Sequence, residues 1–366
     1  MRIGLDARAA SEVPAGRGRV LRELLLALDE IDRPHTFELH CREPWREADL
    51  GERFTWVQTE LRDPAWHAAV ALRASRDCDV FVSTNSYLTA WMLRVPSVVL
   101  VYDLVPFVPE AHAQRRAGRI ERATIRPAIR RAERLVCISR ATERDLVERF
   151  PRAAGKTAVM ELAADARFGG AAALQAADAV AQRHGVQREG FVLATGTLEP
   201  RKNLLRLIRA HAALPAELRE RHPLLIVGPR GWEEDEILAA AAESREHVRL
   251  PGFVPDADLA ALYAGCSVFC FPSLYEGFGL PVLEAMASGA PVITTNVSSL
   301  PEVGGDAAVY VAPEDEAEIG AALERLLRSP DERAELAERG RRRAAEFSWR
   351  HAAETLLGEI ELAAGS

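Results

Sequence analysis

The chain has 366 residues, of which 48% are hydrophobic and 27% charged, and its formal net charge is −8 at pH 7. This composition is typical of a globular protein long enough for two domains, and the negative charge argues against general binding to nucleic acid. We expect no secretory signal, because the chain opens on the strand-like "MRIGLDA", and no apolar run reaches the roughly 20 residues of a membrane span.

Apolar, strand-like runs alternate with helical patterns from end to end. The first half contains "RIGLDA", "TFELHC", "DVFVS", "PSVVLVYD" and "RLVCIS", with helices expected near 18–31 and over about 113–134. The second half contains "FVLATG", "PLLIVG", "HVRLPG", "SVFCFPS" and "PVITT", with helices expected from about 202 and near 233–244, 256–264 and 280–288. Such alternation predicts an α/β fold with parallel sheets covered by helices on both faces.

A change of composition near 166–175 separates the two halves, because "AADARFGGAAALQAADAV" lacks strand character and contains Gly-Gly. We therefore predict two doubly wound domains, residues 1–168 and 175–348. Ligands of such sheets bind beyond the carboxyl ends of the strands, so the expected site is a cleft between the two domains.

Lysine is rare in this chain. Lys156 and Lys202 are the only two, and arginine supplies the rest of the 46 basic residues. Lys202 follows Arg201 in "TGTLEPRKNLLRLI", between a buried strand and a helix. A helix N-terminus with two cations favours an anionic ligand. The alternative is a solvated basic pair, a placement that the helix dipole disfavours.

A second candidate lies in "PSLYEGFGLPVLEAMASGAPV". Glu276 is on a glycine-rich turn and Glu284 is one turn into the following helix. Between them lie the amides of Phe278, Gly279 and Leu280, on which a phosphate could rest while the carboxylates accept hydrogen bonds from sugar hydroxyls. The alternative is a pair of acids stabilised by the helix dipole.

A third candidate is "VPAGRGRVLREL", where Gly16 and Gly18 precede the first helix. It resembles the start of a dinucleotide fingerprint, but Leu21 occupies the third glycine position, so the support for NAD is weak. The glycines permit close approach of the backbone to a ligand, or they form a plain tight turn.

In this order along the chain, these stretches resemble the retaining glycosyltransferases of family 4, which have the GT-B fold of two Rossmann-like domains facing a central cleft. The strongest match is "EGFGLPVLEAMASGAPVITTNVSSLPEV", supported by "GTLEPRKN", "IGLDAR", "VYDLVP" and "CISRATERDL". The resemblance implies that the first domain binds the acceptor and the second the nucleotide-sugar donor. It also implies that a final helix, within 349–366, packs back on the first domain.

The resemblance also implies roles for individual residues. Glu284 would hold the donor ribose, Glu276 the transferred sugar, and Arg201 with Lys202 the diphosphate. The rest of the implied donor-binding set is Gly16, Gly18, Thr197, Val254, Gly277, Phe278, Gly279 and Leu280.

The implied chemistry needs no metal. The leaving nucleoside diphosphate gains negative charge, which Lys202, Arg201 and the helix amides would stabilise, and the diphosphate itself can accept the proton of the incoming hydroxyl. We expect the two Asp-x-Asp matches, at 77–79 and 256–258, to be structural. No cofactor other than the nucleotide-sugar co-substrate is expected.

The chain departs from the family pattern at two positions. Many relatives have His where this chain has Tyr102, and Arg where it has Thr197. Tyrosine is a poor base near neutral pH. Asp103 remains a candidate for orienting the acceptor or the sugar, and the alternative is a capping acid in a loop.

Five arginines recur at helical spacing: Arg115, Arg119, Arg122, Arg126 and Arg130. They form either a solvated face or a contact with an anionic membrane surface or a phosphate-bearing lipid acceptor. We accordingly expect a cytoplasmic protein, with the inner face of the membrane as a further option.

The predicted function is a retaining, metal-independent glycosyltransferase with a glycan, lipid-linked or small-molecule acceptor. The stretch "TTNVSSLPEV" is typical of the mannosyltransferase-like branch, so GDP-mannose is the first choice of donor. The alternatives are a GT-B sugar-nucleotide epimerase or hydrolase, and a non-catalytic GT-B partner subunit, which only Tyr102 favours.

Overall fold

The computed structural model describes residues 1–13, 16–108 and 115–365. They divide into two compact units. The first contains the described residues of 1–107, 114–162 and 348–366, and the second contains those of 163–347 together with Val108.

The first unit is built on a parallel sheet of seven strands within the described residues, in the order β3-β2-β1-β4-β5-β6-β7. The sheet runs through the centre of the unit's core. Its strands are β1 (Arg2–Asp6), β2 (Thr36–Cys41), β3 (Phe54–Gln58), β4 (Val80–Ser83), β5 (Ser97–Val101), β6 (Arg134–Cys137) and β7 (Thr157–Val159). Its first six helices are α1 (Arg8–Glu12), α2 (Arg17–Asp29), α3 (Ala65–Asp77), α4 (Tyr87–Met92), α5 (Arg115–Arg131) and α6 (Arg140–Arg149).

The second unit is built on a parallel sheet of six described strands, in the order β10-β9-β8-β11-β12-β13. These are β8 (Val192–Thr195), β9 (Leu224–Val227), β10 (Val248–Gly252), β11 (Val268–Phe271), β12 (Val292–Thr295) and β13 (Ala308–Val311). The helices are α7 (Ala171–Arg183), α8 (Leu204–Ala212), α9 (Ala216–Arg221), α10 (Asp235–Glu243), α11 (Asp256–Gly265), α12 (Leu280–Ala287), α13 (Leu300–Gly304), α14 (Glu316–Arg328) and α15 (Pro330–Ala344).

The strand order of the second sheet reverses between β8 and β11. From β8 the sheet grows through β9 to β10 on one side, and from β11 through β12 to β13 on the other. The loops that leave the carboxyl ends of two such neighbouring strands diverge and open a crevice, which is where open parallel sheets bind ligands. The segments after β8 and β11 carry Lys202 and Glu276, so the topology brings these two distant stretches together.

The last helix, α16 (Trp349–Ala364), packs on α2 and on strands β4, β5 and β6 of the first unit. Its buried face consists of small and aliphatic side chains such as Ala352, Leu356 and Ile360. Ser348 caps its start by accepting a hydrogen bond from the His351 amide.

Three strands were absent from the sequence expectation: β3, β7 and β13. β3 and β7 are edge strands of the first sheet and β13 is an edge strand of the second. β7 has only three residues, all half-buried, so it lacks the apolar run that marks a central strand. Among the described residues, no helix is both long and apolar enough to cross a membrane.

Candidate functional site

The segment after β8 brings Lys202 to the sheet's carboxyl edge through a 3₁₀ turn, Pro200–Lys202, and the expected helix α8 starts two residues later, at Leu204. Asn203 links the two with a positive φ of 58°. Its side-chain amide donates hydrogen bonds of 3.0 Å to the Pro272 carbonyl and 2.6 Å to the Pro313 carbonyl. These bonds fix the turn against the end of β11.

Both cations of this turn meet one carboxylate. Lys202 Nζ lies 2.6 Å from Glu276 Oε1, and Arg201 lies 2.8 Å from the same oxygen. Lys202 is 8% exposed and Glu276 9%, so the cluster is buried. The expected proximity of these three residues is therefore present within the second unit.

Arg201 makes two further contacts. It lies 2.5 Å from Glu199 Oε1 and donates a 2.9 Å hydrogen bond to the Tyr275 carbonyl. Glu199, which is only 2% exposed, contacts one terminal nitrogen of the guanidinium, and Glu276 contacts the other. Two cations thus share two carboxylates, so the cluster is close to neutral without an added anion.

Burial and mutual attraction act on these groups in opposite directions. Burial alone would raise the pKa of Glu276, but Arg201 and then Lys202 outweigh it, and the pKa falls to about 2. Burial lowers the pKa of Lys202, with the charge of Arg201 acting in the same sense and that of Glu276 against it. Glu276 is therefore ionised throughout the physiological range.

The local geometry explains why lysine, and not arginine, stands at position 202. A Cβ added to Gly196 would lie 3.0 Å from Lys202 Cε, and Gly196 has a φ of 132°. The ammonium lies 4.7 Å from the centre of the Phe271 ring. The slot admits a narrow alkyl chain with a compact charge, whereas a planar guanidinium is wider.

The loop that carries Glu276 is held by two serines. The Glu276 amide donates a 2.9 Å hydrogen bond to Ser298 Oγ. Ser299 Oγ is bonded to the carbonyl oxygens of Glu276 at 2.9 Å and Phe278 at 2.7 Å. Ser299 is fully buried, so these bonds fix the loop's course.

The N-terminus of α12 follows at once. Gly279 caps it with a φ of 113°, which a residue with a Cβ rarely adopts. Within the part of the chain described, no hydrogen-bond acceptor is recorded for the amides of Phe278, Gly279 and Leu280. Three successive N–H groups at a helix start form a suitable cradle for an anion.

Glu284 lies one turn into α12 and is 2% exposed. Tyr263 on α11 donates a 3.5 Å hydrogen bond to Glu284 Oε2, and the same hydroxyl lies 3.1 Å from Thr195 Oγ1 at the end of β8. Glu284 is therefore tied to the carboxyl edge of the same sheet.

The remaining second-unit candidates lie around this edge. Thr197 is half-buried beside Gly231, whose added Cβ would lie 2.6 Å from Thr197 Cγ2. Val254 follows β10 and is 5% exposed. Gly277 lies in the loop between Glu276 and the α12 cradle.

The first-unit candidates occupy a separate edge. Gly16 is the exposed N-cap residue of α2 and has a φ of 56°. Gly18 is buried, and an added Cβ would lie 1.7 Å from the Val13 carbonyl oxygen. Gly18 is therefore required by the packing of α2 on the preceding segment.

Asp103 lies beside Arg17, 3.8 Å from its guanidinium, and accepts a 3.1 Å hydrogen bond from the Val105 amide. Arg17 also lies 3.5 Å from Glu121 on α5. The capping alternative for Asp103 thus has direct structural support, and a role with substrate stays a prediction.

A cavity of about 180 Å³ opens beside Arg17. Its polar lining includes Thr84, Tyr87, Tyr102 and Glu121. The Tyr102 hydroxyl is buried with no hydrogen-bond partner among the residues described, and burial raises its pKa. Tyr102 is therefore neutral and cannot replace a basic histidine.

The arginine stripe lies on α5. The Arg115 side chain is outside the described residues. Arg122 donates to the Pro106 carbonyl at 2.5 Å, and the Arg126 guanidinium lies 5.9 Å from the centre of the Phe150 ring. Arg126 and Arg130, together with Arg149 and Arg152, line a shallow depression of about 230 Å³, in whose lining no acidic residue is recorded.

The acids of the Asp-x-Asp matches have partners within the protein. Asp256 lies 3.1 Å from Arg167 and Asp258 lies 2.7 Å from Arg183. Asp79 accepts a 2.7 Å hydrogen bond from the Arg2 amide, and Asp77 lies 2.7 Å from Arg76. These contacts are consistent with the structural reading of both motifs.

Sequence reasoning missed five residues of the site: Glu199, Tyr263, Phe271, Ser298 and Ser299. The signal for Glu199 was available, since "TLEPRK" places an acid two residues before Arg201. Nothing in the local pattern around Phe271 or Tyr263 distinguishes them from ordinary core aromatics.

Comparison with known proteins identifies the family to which the chain belongs. Residues 178–343 match the family described as Glycosyl transferases group 1, and residues 14–168 match Glycosyltransferase Family 4. The O-antigen chain mannosyltransferase B of Escherichia coli is 34% identical over 304 residues, covering 82% of this chain and 77% of the relative. The MMP alpha-(1->4)-mannosyltransferase of Mycolicibacterium hassiacum is 34% identical over 64% of this chain and 55% of the relative.

Solved structures agree on the fold. Anabaena HepE in complex with UDP and glucose matches with a TM-score of 0.77 and 19% identity, over 99% of this chain and all of that one. The chain belongs to glycosyltransferase family 4 and has the GT-B fold of two parallel α/β domains. The predictions of family, fold class and glycosyltransferase activity are confirmed.

Proposed function

We propose that this glycosyltransferase moves mannose from GDP-mannose to a hydroxyl of a glycan, lipid-linked or small-molecule acceptor, with retention of anomeric configuration. The choice of sugar rests on the relatives, whose names include mannosyltransferases from two organisms. The observation that carries the proposed site is the buried contact of Lys202 and Arg201 with a single oxygen of Glu276.

In this proposal the donor diphosphate lies over the start of α12. The amides of Phe278, Gly279 and Leu280 supply neutral donors, while Lys202 and Arg201 supply charge. In the free protein Glu276 balances both cations, at 2.6 and 2.8 Å. When the phosphates take over part of this contact, the carboxylate becomes available to the hydroxyls of the sugar.

The rate enhancement then comes from charge that develops during the reaction. As the anomeric bond breaks, the leaving diphosphate becomes more negative, and fixed donors stabilise the transition state more than the ground state. Burial strengthens this effect because the surrounding dielectric is low. Glu284, held by Tyr263, is the proposed partner of the donor ribose.

The acceptor is proposed to bind the first unit beside Arg17. The cavity of about 180 Å³ there has hydroxyl, amide and carboxylate groups in its lining, as a sugar requires. Asp103 is the proposed positioning residue through its contact with Arg17. Glu121 lines the same cavity, and burial raises its pKa against the opposing charge of Arg17.

Metal independence is part of the proposal, because the cationic cluster supplies the charge that a metal would otherwise provide. The test is transfer from GDP-mannose in excess chelator, with the anomeric configuration of the product read by NMR. An α-mannoside formed at an unchanged rate supports the proposal. A β-mannoside, or activity that returns only with an added divalent ion, contradicts it.

The site assignment has its own test, a thermal-shift panel of nucleoside diphosphates and nucleotide sugars. We expect GDP and GDP-mannose to raise the melting temperature of the wild type and to have a much smaller effect on Lys202→Ala and Glu284→Ala. Equal shifts in all three proteins would remove both residues from the site. A preference for uridine nucleotides would overturn the choice of donor alone.

A cytoplasmic location with peripheral contact at an anionic membrane surface is also proposed, on the strength of the arginines of α5 and the neighbouring Arg149 and Arg152. Four arginines line one depression with no recorded acid in its lining, although the whole chain has a net charge of −8. Each basic side chain near an anionic surface contributes about 1 kcal/mol. Pelleting with anionic vesicles at low salt, compared for wild type and Arg126→Gln/Arg130→Gln, tests this. Equal pelleting, or none by the wild type, excludes it.

A further inference from the structure

In the first unit, away from the proposed transferase site, a carboxylate, an imidazole and a thiol lie close together, and all three are side chains that can bind a metal ion. Glu38 and His40 are on β2, two residues apart, so they share a face of the strand. Cys78 is the C-cap residue of α3 and lies two positions before the start of β4. One ligand atom from each lies within 4.8 Å of the others.

A glycine on the intervening strand makes this meeting possible. β1 lies between β2 and β4, and Gly4 is paired with Glu38 on one side and Phe81 on the other. A Cβ added to Gly4 would lie 2.9 Å from Cys78 Sγ and 2.6 Å from Phe81 Cδ2. Because position 4 has no side chain, the thiol can reach across β1 towards the carboxylate.

The histidine supplies an independent sign that a ligand belongs here. His40 is completely buried, yet neither ring nitrogen has a hydrogen-bond partner among the residues described. Leaving a buried polar group without a partner costs about 1–3 kcal/mol. Its Nε2 lies 3.8 Å from Glu38 Oε2.

We propose that Glu38, His40 and Cys78 form a binding site for a divalent ion that favours thiolate and imidazole, with Zn²⁺ as the best fit. A tetrahedral zinc ion holds nitrogen and oxygen ligands about 3.4 Å apart, and sulphur and oxygen ligands about 3.6 Å apart. The corresponding separations are 3.8 Å from His40 Nε2 to Glu38 Oε2 and 4.0 Å from Cys78 Sγ to the same oxygen. Each of these two separations is about 0.4 Å longer than the tetrahedral value, so the ligands must move closer together to hold the ion.

The surroundings allow entry and fix the carboxylate. The Glu38 side chain is 16% exposed and Cys78 is 9% exposed, so an ion can arrive from one side. Arg2 lies 3.8 Å from Glu38 Oε1, on the opposite oxygen, and leaves Oε2 for the ion. Three protein ligands leave a fourth position for water or a small anion.

The proposed ion links strands, with water completing a coordination sphere to which the protein contributes three ligands. It ties β2 to the junction of α3 and β4 across β1, the strand that lies between β2 and β4. The metal site is independent of the proposed transferase site, because its residues lie on a different unit from Lys202 and Glu276. A negative result for the metal site would therefore not affect the proposed transferase function, and the reverse also holds.

The direct test uses Co²⁺ as a spectroscopic substitute for Zn²⁺ in the full-length, reduced protein. We expect one equivalent to bind and to give a thiolate-to-cobalt charge-transfer band, which Zn²⁺ abolishes by displacement. Cys78→Ser should remove the band, and His40→Asn and Glu38→Gln should each weaken binding at least tenfold. Cys266→Ala, a buried cysteine of the second unit, should leave the band unchanged.

A second measurement is the change in melting temperature that Zn²⁺ causes within each variant. Because each variant is compared with itself, a lower starting stability does not affect the comparison. An ion that binds only the folded state raises stability by RT ln(1 + c/Kd), where c is the free Zn²⁺ concentration, so Zn²⁺ should raise the melting temperature of the wild type and of Cys266→Ala but not that of Cys78→Ser. The absence of a thiolate band in wild type would overturn the proposal. So would a band that survives Cys78→Ser, or equal Zn²⁺ stabilisation of wild type and Cys78→Ser.

Discussion

Replacing Lys202 with methionine is the most informative perturbation of the proposed site. Methionine keeps an unbranched chain of similar length in the slot beside Gly196 and removes only the charge. Glu276 keeps its 2.8 Å contact with Arg201, so it stays paired. The loss of the 2.6 Å bond should therefore lower stability only moderately, by about 1–3 kcal/mol.

The effect on the reaction should be larger. Removing one preorganised donor to a developing oxyanion costs about 2.7–4 kcal/mol, so kcat should fall by roughly 100- to 1000-fold. Lys202→Arg should not rescue the rate, since the guanidinium is too wide for a slot in which Cε already lies 3.0 Å from the missing Cβ of Gly196. Restored activity in Lys202→Arg would contradict this steric account.

The chain supplies its own matched control. Lys156 is the only other lysine, lies in the first unit and donates a 2.8 Å hydrogen bond to the Ala132 carbonyl. Initial rates with GDP-mannose and melting curves are to be compared for both methionine variants. If folded Lys202→Met keeps a kcat within about threefold of wild type, the ammonium does not stabilise the leaving group and the reasoning is refuted.

Three further outcomes are expected. Gly196→Ala forces a side chain into a backbone with φ of 132° and against Lys202, so it should lower stability by about 1–3 kcal/mol and remove most of the activity. Gly358→Ala is the control, because no atom lies near its added Cβ, and it should change neither stability nor activity. Similar melting temperatures for the two variants would contradict this expectation. Ser299→Ala loses two buried hydrogen bonds to the loop that carries Glu276, so the KM for the donor should rise and the free energy of unfolding, measured in urea, should fall by about 1–3 kcal/mol. An unchanged KM would show that this loop does not contribute to donor binding. The pKa of Glu276 is lowered from 4.5 to about 2, so its stabilisation is present above pH 4.5 and is lost as pH falls to about 2. Glu276→Gln should therefore be less stable than wild type by roughly 3 kcal/mol at pH 7, with the gap closing between about pH 4.5 and pH 2; a pH-independent gap would exclude this ionisation.

Local patterns in the sequence predicted much of the fold. The central strands of both sheets are continuous apolar runs, because strands covered on both faces must be apolar throughout. Edge strands have no such requirement, and β7, with three half-buried residues, gave no comparable signal. The start of α8 was expected at Lys202 but lies at Leu204, because Asn203 adopts a left-handed conformation that interrupts the helix.

The site was predictable where a residue type was unusual for its position. A lysine in a chain that otherwise uses arginine, and two acids around a glycine-rich helix start, pointed to Lys202, Glu276 and Glu284. The same reasoning could not find Tyr263 or Phe271, because the sequence pattern around an aromatic residue of the core is the same as that around an aromatic residue that contacts a site.

The sequence by itself determined the family, the two parallel α/β domains and the residues that carry charge, because these depend on local periodicity and on motifs of fixed spacing. Only the tertiary structure decided that Lys202 and Glu276, 74 positions apart, share a 2.6 Å bond. It also decided that Cys78 reaches Glu38 across Gly4. Both contacts depend on which strands lie side by side, and strand order is set by the packing of the whole sheet.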